Sequence, residues 1–205
     1  MYLVKSHRLC RDGAPVAFRP TPNMGGRIRP EILVMHYTGS SSTEGAISWL
    51  TRSEAQASAH LVIAPDGAVT QLVPFDRVAW HAGRSAYQGR PNCNGFAIGI
   101  ELVNAGLLVR NGAGAYVEPL SKRLVPGDDV VIARHKNGGG DQPWAAYDPR
   151  QIEAAIAVAQ GIVSAYGLRD VVGHDDVSPG RKIDPGPAFP MRSFKGRVLG
   201  RGDAR

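Results

Sequence analysis

Two of the six histidines, at positions 7, 36, 60, 81, 135 and 174, close apolar runs: His36 in LVMHYTG and His174 in VVGHDD. A histidine at the end of a buried strand stands at a sheet rim, where sites form, although either one alone reads more plainly as a hydrogen-bonded rim residue. His174 opens the stretch HDDVSPGRKIDPGP, in which Asp184 lies between Lys182 and Pro185-Gly186-Pro187. Proline and glycine on that side fix the direction of the carboxylate at low entropic cost. Two imidazoles and one carboxylate, with no thiolate, are a donor set for catalytic zinc whose fourth position is left to water. A zinc hydrolase also needs a base for the attacking water and a donor for the oxyanion of the tetrahedral intermediate. Glu101 sits inside FAIGIELV, between Ile98, Ile100 and Leu102. A carboxylate there is costly unless it is paired or tuned for work, and strand alternation by itself offers the other reading, a solvent-facing glutamate. Lys182, two residues before Asp184, can reach the same point in space; alone it reads as a solvated loop lysine.

The elements that must position these groups follow from hydrophobic periodicity and turn signals. Glu31–Tyr37, bounded by Pro30 and Gly39, predicts a buried strand. Ser40–Ser42 and Thr43 offer helix caps, and Ile47 and Leu50 recur at helical spacing, so a helix is expected over roughly 43–54. Ser58–Ala64 and Ala68–Val73 flank Pro65-Asp66-Gly67 and read as a hairpin. Phe96–Val103 reads as a strand in which Gly99 allows close approach of a neighbour. Asp148 as cap, Pro149 in the first turn, the stripe Ile152, Ile156, Ala159, Val163 and Tyr166, and Gly167 as terminator predict the best helix. Val171–Gly173 then reads as a short strand ending in His174. The stretch Asp12–Pro30 reads as an extended arm, so residues 1–30 are expected as an N-terminal arm, and residues 105–147 as a long loop or small hairpin insertion. There is no internal repeat. Strands with intervening helices and one hairpin predict a single α/β domain over 1–205, a central mixed β-sheet flanked by helices.

With 43% hydrophobic and 20% charged residues the composition is that of a globular domain, and no apolar stretch approaches a membrane span. A net charge of +6 suggests an anionic partner or simply a basic solvated surface. No basic helix, zinc knuckle or aromatic-basic strand supports nucleic acid. Two cysteines, Cys10 and Cys93, make neither a disulfide framework nor a zinc cluster. MYLVKSHRLCRDG lacks the apolar core of a signal peptide, which leads us to expect a cytoplasmic site of action, with release or export to the cell wall by another route as the alternative.

Four blocks in order, LVMHYTG, SAHLVIAPDGAVTQLVPFDRVAWHAG, YQGRPNCNGFAIGIELVN and VGHDDVSPGRKIDPGPAF, closely resemble the zinc-dependent N-acetylmuramoyl-L-alanine amidase family. This amidase-2 group shares the peptidoglycan-recognition-protein fold, and the resemblance is strongest to its AmpD-type branch of cytoplasmic amidases that recycle 1,6-anhydro-muropeptides. The matching blocks span roughly residues 31–104 and 148–194. The resemblance implies one Zn2+ per chain held by His36, His174 and Asp184, with Glu101 assisting the attacking water and Lys182 stabilising the oxyanion. It implies hydrolysis of the lactyl amide between N-acetylmuramic acid, or its 1,6-anhydro form, and L-alanine of the stem peptide. A catalytic tyrosine found in the phage-lysozyme branch is replaced here by Ala59, which leaves that work to Glu101. Expected partners are peptidoglycan fragments or the sacculus, with no nucleic acid and no membrane, and the chain is expected to act as a monomer.

Candidates for substrate binding are His60, Trp80, His81, Arg90, Asn92 and Asn94, with His60 and His81 reading equally as structural histidines that shape the site. Asn92 stands where AmpD-type proteins tend to carry a basic residue, and Arg90 could substitute for it. Residues 105–147, with His135 and Trp144, have no counterpart in the compact recycling enzymes and could shape a cleft for polymeric wall. A phage endolysin or exported effector of the same chemistry is therefore the alternative expectation, and a non-catalytic peptidoglycan-binding module a further one. Arg-Gly-Asp at 201–203 reads as a chance tripeptide.

Overall fold

The apolar run after Pro30 forms a strand covered on both faces, as its unbroken hydrophobicity requires. In the computed structural model, which describes residues 1–200, eight strands bear on the site. They are β1 (Ala17–Phe18), β2 (Ile32–Tyr37), β3 (Leu61–Ile63), β4 (Val69–Gln71), β5 (Ala97–Leu102), the hairpin pair β6 (Val130–Arg134) and β7 (Asp141–Ala145), and β8 (Asp170–Gly173). Six of them build one mixed sheet in the order β8-β2-β5-β3-β4-β1. β8, β2, β5 and β3 run parallel, β3 and β4 form the expected antiparallel hairpin, and β1 adds parallel to β4. The mixed α/β sheet flanked by helices is the expected fold class. The tripeptide 201–203 lies outside the described residues.

Alternation along these strands separates two cores. Leu33, Met35, Ile98, Ile100, Leu102, Leu61, Ile63 and Val171 pack against helices α2 (Pro149–Tyr166) and α4 (Met191–Leu199). On the opposite face Ile32, Val34, Ala97 and Val172 meet Ala82, Cys93, Phe96 and Val177, while Val62 meets Ala46, Ile47 and Leu50 of α1 (Thr43–Leu50). His36 and Glu101 belong to this second face, at the carboxyl ends of their strands.

The local readings differ from the structure at identifiable places. Residues 1–30 are bound into the fold rather than forming an arm. Tyr2–Lys5, Arg8–Arg11 and Ala14–Pro15 make a small antiparallel sheet, and Met24–Arg27 pairs with Arg77–Ala79. These pieces are too short to show a period. The second strand is held by the fully buried Gln71, whose amide accepts from the Leu9 N–H and donates to the His7 and Val73 carbonyls. The first helix stops at Leu50, where the Thr51 hydroxyl donates to the Ile47 carbonyl, and only a single 3-10 turn, Ser53–Ala55, follows. α2 has its predicted Asp148 cap and Gly167 terminator, but its buried face is Gln151, Ala155, Ile156, Val158, Ala159 and Ile162. Gln151 draws that face round by donating to the Ile63 and Val103 carbonyls at 2.9 and 3.0 Å. His174 opens the short helix α3 (His174–Val177) instead of ending a strand. α4 was not anticipated; its signals are Pro190, the i,i+4 pair Phe194 and Val198, and Gly200 at positive φ. Cys10 and Cys93 are both buried free thiols.

Candidate active site

Register brings the site together. Glu101 on β5 pairs with His36 on β2. β8 pairs with β2 up to Gly173 opposite Met35, so the next residue, His174, stands level with His36. Partners in parallel register point to one face, so His36, Glu101 and His174 project together from the carboxyl ends of three adjacent strands, where open α/β sheets place ligands. Asp184 reaches the same point from the loop after α3. His36 Nδ1 lies 2.9 Å from His174 Nδ1, and each is 3.0 Å from Asp184 Oδ2. All three residues are buried.

The outer ring nitrogens decide what these three atoms carry. His174 Nε2 faces the Ala82 carbonyl at 3.1 Å, which only an N–H can satisfy. Arg181 Nη2 passes 3.3 Å from the same nitrogen but is already donating to Ala82 O and Ser178 Oγ. His81 Nε2 faces the Ala97 carbonyl, which makes His81 Nδ1 the acceptor of the His36 Nε2–H at 3.0 Å. Both inward Nδ1 atoms are then bare lone pairs. Burial, and the neighbouring His174, push His36 down to about 4, so the ring is neutral. Two bare nitrogens and an anionic oxygen in mutual contact repel one another unless a cation lies between them. Zinc–ligand bonds of about 2.0–2.1 Å set tetrahedral neighbours roughly 3.3 Å apart, close to the spacing observed. The chemistry of this donor set fits a metal.

Glu101 borders the same cavity, of about 380 Å³, together with Trp80, His81, Trp49, Lys182 and Ile183. Its Oε2 is buried without a hydrogen-bond partner. Burial, and secondarily Asp184, push its carboxyl well above the usual range, against the opposing pull of Lys182. A half-buried carboxylate with one oxygen sequestered without a partner and a raised pKa, in a cleft, is a candidate proton carrier.

The other sequence candidates separate clearly. His81 and Trp80 line the cleft. His81 works beneath the site, since its ring lies on Gly99, where a Cβ would come 2.4 Å from Cγ. Gly99→Ala is therefore expected to lose about 1–3 kcal/mol of stability through overpacking, measured by urea unfolding; an unchanged midpoint would contradict this packing. His60 is fully buried outside the cleft, accepting from the Gly99 N–H and donating to the Arg77 carbonyl. Asn94 accepts from the His81 and Ala82 N–H groups and so shapes the loop of His81. Arg90 pairs with Glu31 at 2.6 Å and lies 3.9 Å over the Phe96 ring. Glu31 and Phe96 precede β2 and β5, so Arg90 sits at the opposite end of the sheet, about 16 Å of strand from His36. Asn92 is exposed in the same loop, in the left-handed conformation. No residue of 105–147 lines the cleft. Trp49 and Ile183, both exposed apolar residues on its walls, carry no sequence signal beyond their neighbours in α1 and the Asp184 loop.

Residues 26–187 match the family described as N-acetylmuramoyl-L-alanine amidase. The 1,6-anhydro-N-acetylmuramyl-L-alanine amidase AmpD of Escherichia coli (strain K12) is 32% identical over 161 residues, 78% of this chain and 68% of that protein. A solved selenomethionyl AmpD derivative matches with a TM-score of 0.66 at 26% identity, over 94% of this chain and 99% of the other. The E. coli amidase AmiD, solved with its substrate anhydro-N-acetylmuramic acid-L-Ala-D-γ-Glu-L-Lys, matches with a TM-score of 0.61 at 29% identity, over 94% of this chain and 64% of AmiD. With its histidine pair, aspartate and glutamate gathered at the rim of that shared fold, the chain belongs to the N-acetylmuramoyl-L-alanine amidase family and is of the AmpD type.

Proposed function

We propose that this chain is a zinc-dependent amidase that hydrolyses the lactyl amide between 1,6-anhydro-N-acetylmuramic acid and the L-alanine of a stem peptide. The observation that carries this reading is the contact of His36 Nδ1, His174 Nδ1 and Asp184 Oδ2 beside the Glu101 carboxylate, whose Oε2 is buried without a partner. His36, His174 and Asp184 would hold one zinc ion. Bound there, zinc supplies a Lewis acid for the amide carbonyl and lowers the pKa of the attacking water. Glu101 takes the proton of that water as it attacks, and its raised pKa makes it a stronger base for that step. The proton goes on to the nitrogen of the departing alanine. Lys182, on the cleft wall, offers its ammonium to the developing oxyanion.

The anhydro sugar is supported by the AmpD and AmiD relatives, whose names and bound ligand specify it. Arg181 and Lys182 at the cleft, within a chain of net charge +6, suit a substrate bearing carboxylates. No helix among the described residues is long and apolar enough to cross a membrane, and recycling of soluble fragments in the cytoplasm by a monomer is the role this reading favours. The test is to offer zinc-loaded protein soluble anhydro-muropeptide and intact sacculi and to quantify released stem peptide by chromatography and mass spectrometry. Faster release from the soluble substrate is expected. Equal or faster release from sacculi would replace recycling with an endolysin-type role, and release from neither would leave a peptidoglycan-binding module.

A further inference from the structure

The hairpin β6–β7 takes no part in lining the cleft, yet its buried end grips both elements that carry His174 and Asp184. His135, 6% exposed, accepts from the Asn137 N–H at Nδ1, so its Nε2–H donates to Asp175 Oδ2 at 3.0 Å. Asp175, 3% exposed, directly follows His174 in α3. Lys136 Nζ stands 2.9 Å from its other oxygen and 2.6 Å from Asp176. The Asp184 loop is held at three successive residues. The Asp175 N–H donates to the Asp184 carbonyl at 2.9 Å. The Tyr147 hydroxyl donates to the Pro185 carbonyl at 2.8 Å. Trp144 lies so close over Gly186 that a Cβ there would come within 2.8 Å of the indole. The same indole stacks on His135, with ring centroids 5.9 Å apart at 28°, and donates to the Ala133 carbonyl. Before His174, Gly173 leaves no room for a Cβ, which would stand 2.2 Å from Asp175 Oδ1 and 2.8 Å from Pro185 Cδ.

We propose that His135 and Trp144 are positioning residues of the metal centre. The hairpin is a clamp that braces α3 and the 184–186 turn so that His174 Nδ1 and Asp184 Oδ2 are held at ligand spacing. Donors that repel one another without a cation drift apart unless the scaffold holds them. A scaffold that does so removes the ordering cost from metal binding, and groups behind the ligands tune affinity in this way. The inference rests on the zinc reading above and extends it to a segment outside the cleft.

The test compares His135→Ala, His135→Gln and Lys136→Ala with the unaltered chain. Zinc affinity is read by chelator competition, ligand geometry by the visible spectrum of the cobalt-loaded proteins, and folding by the thermal midpoint of the metal-free proteins. His135→Ala is expected to weaken zinc about 10- to 100-fold and to shift the cobalt bands. His135→Gln, which keeps an N–H donor at similar reach, is expected to retain most of the affinity. Lys136→Ala removes a half-exposed contact of the same cluster without opening the core, and is expected to act in the same direction by less. Zinc affinity and cobalt spectra unchanged in both alanine variants would overturn the clamp, as would His135→Gln failing as badly as His135→Ala. An unaltered chain that takes up no zinc would instead refute the metal-site reading itself.

Discussion

Asp184→Ala is expected to abolish zinc uptake and amide hydrolysis together. Asp184 is the only anion in the donor set, and its Oδ2 contacts both histidine nitrogens at 3.0 Å. Without it only the two histidine nitrogens remain, and the Asp184 loop supplies no third donor to the set. The metal content of the dialysed protein should fall from one per chain to background, and release of stem peptide should fall with it. Stability gives an independent readout. A ligand that binds only the native state stabilises it by about 2.7 kcal/mol at a hundredfold excess over Kd, so added zinc should raise the thermal midpoint of the unaltered chain and leave that of the variant unmoved. Full metal stoichiometry in the variant would remove Asp184 from the ligand set.

Glu101→Gln is expected to separate binding from turnover. The variant should keep zinc at full stoichiometry, because Glu101 makes none of the three donor contacts, while kcat falls by about 10²- to 10⁴-fold, the usual contribution of a positioned general base. A fully active variant would end that role. A second consequence follows from burial. Oε2 has no partner, and the carboxyl titrates well above its ordinary range in the folded chain. Between the unfolded and folded pKa the native state holds more protons than the unfolded state, so this group makes stability fall as pH rises. The metal-free Glu101→Gln protein should therefore melt higher than the metal-free unaltered chain at neutral pH, with the gain fading as pH falls into the ordinary carboxylate range. A gain that instead grew on acidification would contradict the burial argument. A catalytic group held at a cost to stability is what a strained functional site predicts.

The parts of this protein legible in its sequence are those governed by short-range physics. The apolar run Ile32–Tyr37, the Pro65-Asp66-Gly67 turn, and the cap and terminator of α2 at Asp148 and Gly167 each carry their signal within a few residues. Chemistry was legible where residue types cluster, as in HDDVSPGRKIDPGP. Gly99 announced a close approach, though not by which group.

What only the tertiary structure decided is register and neighbourhood across long separations. His36 and His174 meet 138 residues apart in the chain, and no local pattern fixes that β8, β2 and β5 align so that they stand level with Glu101. Arg90 and Asn92 lie in the same sequence block as Glu101, yet strand direction carries Arg90 to the far end of the sheet. The opening strands of residues 1–30 escaped because two- to four-residue pieces show no period and are secured by distant partners, such as Gln71 at Leu9 and Asn23 at Arg52 and Ala57. The resemblance suggests that the insertion 105–147 could shape the cleft for polymeric wall. Packing sets its hairpin behind the ligands instead, because His135 and Trp144 find Asp175 and Gly186 there. By itself the sequence determined which groups were available for zinc hydrolysis, since donor chemistry belongs to residue type; the fold decided which of them share a point in space, because that depends on contacts the chain makes only when closed.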